Sequence, residues 1–162
     1  MAAIASQSVI GGSLSNQASV LPGDTALGMH AIKTFIVEDS PIILDNLVAT
    51  LEELASVTVV GSAPDESTAV EQLSHLDDLD LLIIDVFLKS GSGLEVLRNA
   101  TQYGSAAKRV VLTNYATPNM REKCRLLGAD RVFDKSNELD DLIAYCTRLA
   151  ETRDDSGGNS PD

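Results

Sequence analysis

The sequence predicts an α/β protein, a doubly wound parallel sheet of five strands with helices on both faces. Three observations predict it. Between residues 32 and 150, short apolar runs rich in β-branched residues alternate with longer segments that place an apolar residue every three or four positions. Runs such as Leu81-Leu82-Ile83-Ile84 are apolar throughout, which suits a strand covered on both faces. Strands separated by helices are joined by crossovers, and crossovers make a sheet parallel.

The first strand is expected at Ile32–Val37. Ser40-Pro41 follows it, a capping hydroxyl ahead of a proline at the first helical position, and Ile43, Leu47, Leu51 and Leu54 form the stripe of the first helix. A second strand at 56–61 leads to a helix striped by Ala69, Leu73 and Leu76, and a third at Leu81–Ile84 leads to one carrying Leu94, Leu97 and Ala100. The fourth strand, 109–112, precedes Thr117-Pro118, a second cap of the same kind; Met120, Cys124 and Leu127 stripe its helix, and Gly128 is expected to stop it in a left-handed conformation. The fifth, 131–133, precedes a helix with Leu139, Leu142, Ile143, Cys146 and Leu149. Residues 1–31, rich in Ala, Ser, Gly and Gln without a sustained period, read as a mobile leader, and 151–162 as an acidic, disordered tail; the domain itself is expected at 32–150.

Composition narrows the function classes. At 162 residues and 44% hydrophobic the chain has material for one core. Its formal charge of -12 opposes binding that depends on neutralising phosphates, so nucleic acid is not expected as a partner. The first 30 residues hold no Lys or Arg and no apolar run long enough to span a bilayer, so no membrane insertion and a cytoplasmic location are expected. Cys124 and Cys146 lack any partner at ligand spacing and read as buried thiols in a reducing compartment. Nothing after Ala150 is long enough for an output domain, so output is expected from the surface of the domain or from the tails, by a monomer or weak dimer.

In such sheets ligands bind beyond the carboxyl ends of the strands, where the strand order reverses. The first strand runs into Glu38-Asp39, the third into Asp85, the fourth into Thr113 and the fifth into Asp134-Lys135. Singly, each has an ordinary explanation: an acidic pair complementing a helix dipole, a turn aspartate, a β-branched strand end, a solvated lysine. Together on one edge they point to a site. Three carboxylates crowded together repel one another unless a cation joins them. Mg2+ suits them, since it takes one or two carboxylates, keeps several waters and bridges to phosphate oxygens. An aspartate held against such an ion can attack a phosphoryl group and form an acyl phosphate, while a lysine ammonium and a threonine hydroxyl contact the phosphoryl oxygens.

The runs Phe35-Ile36-Val37-Glu38-Asp39-Ser40, Leu82-Ile83-Ile84-Asp85-Val86-Phe87-Leu88, Val110-Val111-Leu112-Thr113-Asn114 and Phe133-Asp134-Lys135-Ser136 resemble, in order and spacing, the signature blocks of response-regulator receiver domains. The resemblance covers 32–150 and implies a flavodoxin-like (βα)5 fold with strand order 2-1-3-4-5. It further implies that Asp85 is the phosphoacceptor and that Glu38, Asp39, Asp85 and the backbone carbonyl of Phe87 hold Mg2+. Thr113 would supply the hydroxyl that follows the phosphoryl group, and Lys135 would pair with it. The implied upstream partner is a sensor histidine kinase. Downstream stands a target protein bound on phosphorylation, or a histidine phosphotransfer protein in a phosphorelay. On this reading the domain is not an enzyme and catalyses only its own phosphotransfer and slow dephosphorylation.

Several positions depart from the commoner family pattern. Lys89 stands in place of a proline and Ser92-Gly93 in place of Asp-Gly, which predicts a less rigid acceptor loop. Val132 takes the place of the aromatic that often reports phosphorylation, so the usual threonine–aromatic relay is not expected. Ser136 replaces a proline that follows a cis bond; cis before serine costs roughly 3–4 kcal/mol, and the sequence leaves cis and trans open. Phe87 and Tyr115 flank the attacking water without a carboxylate or amide to orient it, which predicts slow self-dephosphorylation, with simple packing as the other reading. Arg121, Lys123 and Arg125 lie on the fourth helix, within the surface the family commonly uses for output; they mark a contact for an acidic partner or an ordinary solvated face.

Other signals carry less. Gly91-Ser92-Gly93 lacks the third glycine of a dinucleotide loop. His75 has no partner at ligand spacing, and Asp85-Val86-Phe87 lacks the second aspartate of a haloacid-dehalogenase-type phosphatase. Two further functions compete: a pseudo-receiver that binds partners without phosphorylation, against which the full acceptor set argues, and a hydrolase built on the same fold.

Overall fold

A computed structural model describes residues 30–102 and 106–158. The elements alternate as predicted: β1 (Ile32–Val37), α1 (Pro41–Leu54), β2 (Val57–Ala63), α2 (Glu66–Leu73), β3 (Leu81–Ile84), α3 (Gly93–Gln102), β4 (Lys108–Thr113), α4 (Pro118–Leu126), β5 (Arg131–Asp134) and α5 (Leu139–Gly158). The strands form one sheet in the order β2-β1-β3-β4-β5, with every pairing parallel. This is the flavodoxin-like arrangement, with the order reversing between β1 and β3.

Strand alternation divides the core into two layers. Ile32, Ile36, Leu81, Ile83, Val110, Leu112 and Phe133 face one side, where Leu47, Leu51 and Ala55 beside α1 and Leu142, Cys146 and Ala150 of α5 cover them. Phe35, Val37, Leu82, Ile84 and Val111 face the other, under Ala69 and Leu73 of α2, Val96, Leu97 and Ala100 of α3, and Cys124 of α4. Each adjacent pair such as Leu82-Ile83 therefore serves both layers, and the continuous apolar runs follow from that.

The caps behave as their residue types dictate. Ser40 accepts from the Ile43 N–H and Thr117 from the Met120 N–H, each with proline next in the chain. Gly128 takes φ +108°. The register of β1 against β2 slips between Thr34 and Phe35, leaving Val60 as the bulged residue.

The structure departs from expectation at the element ends. Ile43 and Leu54 do not join Leu47 and Leu51 in the core but are 39% and 59% exposed, in the first and last turns of the 14-residue helix. Leu76 packs on the core from beyond the end of α2. Ala150 lies in the core, and the helix runs on past it to Gly158, where the sequence reading has a disordered tail; no glycine or proline intervenes before Gly157. Residues 1–29 of the leader and 159–162 of the tail lie outside the described residues.

Candidate functional site

Sheet register assembles the site. Val37 pairs with Ile84 and Thr113 with Asp134, so the residues that follow, Glu38 beside Asp85 and Lys135 beside β4, leave neighbouring strands at the same edge. Two backbone bonds extend the ladder past the strands: Asp85 N–H donates to the Val37 carbonyl at 3.0 Å and Lys135 N–H to that of Thr113 at 3.0 Å.

Here carboxylate oxygens of Glu38, Asp39 and Asp85 lie within 4.8 Å of one another. Glu38 and Asp85 are buried, and Lys135 reaches between them: its Nζ donates to Glu38 Oε1 at 2.7 Å and to Asp85 Oδ2 at 2.9 Å. Burial alone would pull the Lys135 ammonium down, but the hydrogen bonds and charges of Glu38 and Asp85 outweigh it and hold its pKa above the ordinary value. Three further carboxylate oxygens are tied to the backbone. Glu38 Oε2 accepts from the Ser40 N–H at 3.0 Å, Asp85 Oδ1 from the Phe87 N–H at 3.2 Å and Asp39 Oδ2 from the Lys89 N–H at 2.8 Å.

A depression of about 300 Å³ opens over this cluster, lined among others by Asp39, Asp85, Phe87, Asn114, Tyr115 and Lys135. The Phe87 and Tyr115 rings, both part of its lining, pack at a centroid distance of 5.2 Å, tilted by 60°, and both stay about half exposed. Glu38, Asp39, Asp85 and Lys135 are thus brought together as the sequence predicts. Thr113 ends β4 fully buried, and its Oγ1 accepts from the Tyr115 N–H at 3.1 Å; it stands one step back from the depression, behind Asn114 and Tyr115.

A divalent cation fits the donor set. All three acids offer hard oxygens at the spacing of ligands around one small ion, and a single lysine leaves two formal negative charges among the four groups uncompensated. Among the described residues no other trio of His, Cys, Asp or Glu side chains clusters in this way.

The loop from Asp85 to Gly93 folds back on itself. Phe87 and Ser92 form an isolated antiparallel bridge, Gly93 N–H donates to the Val86 carbonyl at 2.9 Å, and a Cβ on Gly93 would stand 1.9 Å from the Asp85 carbonyl oxygen. Among the described residues there is no cis peptide, so the Lys135–Ser136 bond is trans. A model of the response regulator receiver domain family matches residues 34–147. The chain belongs to this family. It is 32% identical over 111 residues to the "uncharacterized transcriptional regulatory protein YvfU" of Bacillus subtilis, covering 68% of this chain and 55% of that one. Many solved structures share the fold, among them the following two. A Burkholderia pseudomallei response regulator "with a phosphorylated aspartic acid, calcium ion and citrate" superposes with a TM-score of 0.63 at 21% identity, over 80% of this chain and 75% of that one. RcsB from Salmonella enterica serovar Typhimurium, "bound to promoter rprA in the presence of phosphomimetic BeF3-", gives 0.65 at 22%, over 78% and 72%. The receiver spans about half the length of the YvfU-like relatives it matches.

Receiver domains are phosphoacceptors of two-component signalling and interact with histidine kinases. The exclusion of nucleic acid read from the net charge loses its support at this point, because proteins of this fold include one bound to a promoter. Charge on one domain does not determine what the rest of an assembly binds. Among the described residues no helix is long and apolar enough to cross a membrane. Both cysteines are free and buried, and burial pushes the Cys146 thiol up to about 12. His75 is exposed.

The sequence reading missed two side chains. Glu66, at the start of α2, bonds to the acceptor loop. Arg121 is recognised only as a surface charge, yet it donates to the carbonyls of Ala116 and Val132 and pairs with Glu138. No local pattern could have shown either contact, because the partners come from other elements.

Proposed function

We propose that this receiver accepts a phosphoryl group on Asp85 from a phosphohistidine of a sensor kinase, with Mg2+ held by Glu38, Asp39, Asp85 and the Phe87 backbone carbonyl. The observation that carries this reading is the junction of three carboxylates with one ammonium: Lys135 Nζ lies within 2.9 Å of Asp85 and 2.7 Å of Glu38, in a depression open to solvent. Asp85 Oδ attacks phosphorus, the P–N bond breaks and its electron pair returns to the imidazole, leaving an aspartyl phosphate. A bound Mg2+ would neutralise the negative charge that gathers on the phosphoryl oxygens. Lys135 is positioned to turn from Glu38 and Asp85 to those oxygens, and Thr113 to offer its hydroxyl once the β4–α4 loop shifts.

Phe87 and Tyr115 line the site as a pair of rings, and neither brings a carboxylate or an amide to orient a water for in-line attack, which supports a long-lived phosphorylated state. Such a lifetime suits signalling by protein contact or onward relay to a histidine phosphotransfer protein. In the test, the protein is incubated with acetyl phosphate and Mg2+ and weighed intact. One added phosphoryl group is expected on the wild type and none on Asp85→Asn; equal labelling of both overturns the assignment of Asp85.

A further inference from the structure

The family resemblance predicts a less rigid acceptor loop at Lys89 and Ser92, yet the loop is held by backbone contacts, part of them from a residue outside it. Glu66 is the first residue of α2, after the N-cap Asp65. A backbone N–H at that position has no partner within its own helix. That of Glu66 donates to the Ser90 carbonyl at 3.3 Å, while its Oε1 accepts from the Ser92 N–H at 3.0 Å. One residue thereby engages both backbone edges of the turn, as a neighbouring strand would. Gly91, between the two contacts, has φ +80°, and a Cβ there would lie 2.4 Å from Glu66 Cβ. Only glycine lets the turn approach so closely. The gripped segment packs in turn on the reacting residues, because Ser92 bridges to Phe87 and Gly93 lies against the Asp85 carbonyl.

We propose that Glu66 is a positioning residue for the metal and phosphoryl site: by gripping Ser90 and Ser92 it sets the height of Phe87 and its carbonyl relative to the carboxylates. The inference rests on the reading of Asp85 as an Mg2+-dependent phosphoacceptor. Glu66 touches neither metal nor phosphoryl group; it acts through the loop, and its side chain is needed as a hydrogen-bond acceptor of the right length, not as a charge.

The experiment titrates the full chain with MgCl2, following amide shifts and the rate of acetyl phosphate labelling, in the wild type, Glu66→Ala, Glu66→Asp and Glu66→Gln. Glu66→Ala and Glu66→Asp, the latter keeping the charge but losing reach, are expected to raise the Mg2+ concentration for half saturation about tenfold, in the range typical of lost outer contacts. At saturating Mg2+ the labelling rate should recover, a split that general loosening of the fold would not produce. Glu66→Gln keeps the acceptor and should match the wild type. If Glu66→Ala fails to fold, Glu66→Asp carries the comparison. Glu66→Asp behaving as wild type, or Glu66→Gln behaving as Glu66→Ala, overturns the inference and assigns the effect to charge. A wild type that neither binds Mg2+ nor accepts phosphate overturns the underlying reading instead, and the inference with it.

Discussion

At the residue scale the site is governed by one ammonium serving two buried carboxylates. Lys135 bridges Glu38 and Asp85, and deleting it leaves two buried acids facing each other, a loss of roughly 3–5 kcal/mol. Lys135→Ala is therefore expected to melt lower than the wild type in EDTA and to regain more of its melting temperature when Mg2+ is added. An equal response of both proteins to Mg2+ would show that the lysine and the cation do not share the same acids. On the proposed reading, Phe87 and Tyr115 set the lifetime of the phosphorylated form. Phe87→Asn places an amide where a water could be oriented, and loss of phosphate, followed by intact mass after removal of the donor, should accelerate on the order of tenfold. An unchanged lifetime would reduce the rings to packing.

At the element scale the Arg121 fan ties three segments together. Its Nε donates to the Ala116 carbonyl at 2.9 Å, Nη1 to that of Val132 at 3.0 Å, and Nη2 pairs with Glu138 at 2.9 Å, so the β4–α4 loop, β5 and the start of α5 meet on one guanidinium. Val132, at the position of the missing aromatic, takes part through its backbone alone. Arg121→Ala should cost roughly 1–3 kcal/mol in urea unfolding, the half-exposed ion pair adding little beyond the carbonyl bonds. The hydrogen bond from Arg121, with that from the Asp134 N–H, holds the Glu138 carboxyl below its ordinary value. A carboxylate depressed in this way stabilises the fold above its unfolded pKa and loses that contribution as pH falls through the folded value. The stability gap between wild type and Glu138→Gln should accordingly be present at neutral pH and close on acidification below the carboxylate range; a gap independent of pH would contradict the pairing. Arg121 is also the member of the basic trio on α4 that is already engaged, which leaves Lys123 and, beyond its local pair with Glu122, Arg125 as the charges most available to an acidic partner.

At the scale of the whole molecule, one sheet with a core on each face protects both thiols. Cys146 lies among the α1–α5 layer and Cys124 in the α2–α4 layer, each fully buried, and burial raises the pKa of both. Thiolate is the reactive form. A disulfide-exchange reagent at pH 8 should find neither cysteine in the native protein and both in denaturant; rapid native labelling would show that one of the layers opens. The depression and its carboxylates sit at the opposite end of the strands from Ile32, the first residue of β1.

What the sequence determined by itself was local or periodic in origin. Apolar runs, helical stripes, the two hydroxyl–proline caps and Gly128 act within about four residues of themselves, so the element order could be read directly, and the acids and the lysine could be placed at strand ends. The family resemblance then supplied the strand order, and with it the edge where Glu38, Asp39, Asp85 and Lys135 gather. What only the tertiary structure decided were distances and partners between separated segments. Lys135 and Glu38 are 97 residues apart and Ser92 and Glu66 are 26 apart. The trans bond at Ser136, the exposure of Ile43 and Leu54, the grip of Glu66 and the fan of Arg121 all depend on which element comes to rest beside which. Cross-element hydrogen bonds leave no periodic trace, because a side chain meets its distant partner through the register of the sheet and the lie of a helix, and no neighbour in the chain is obliged to change with it.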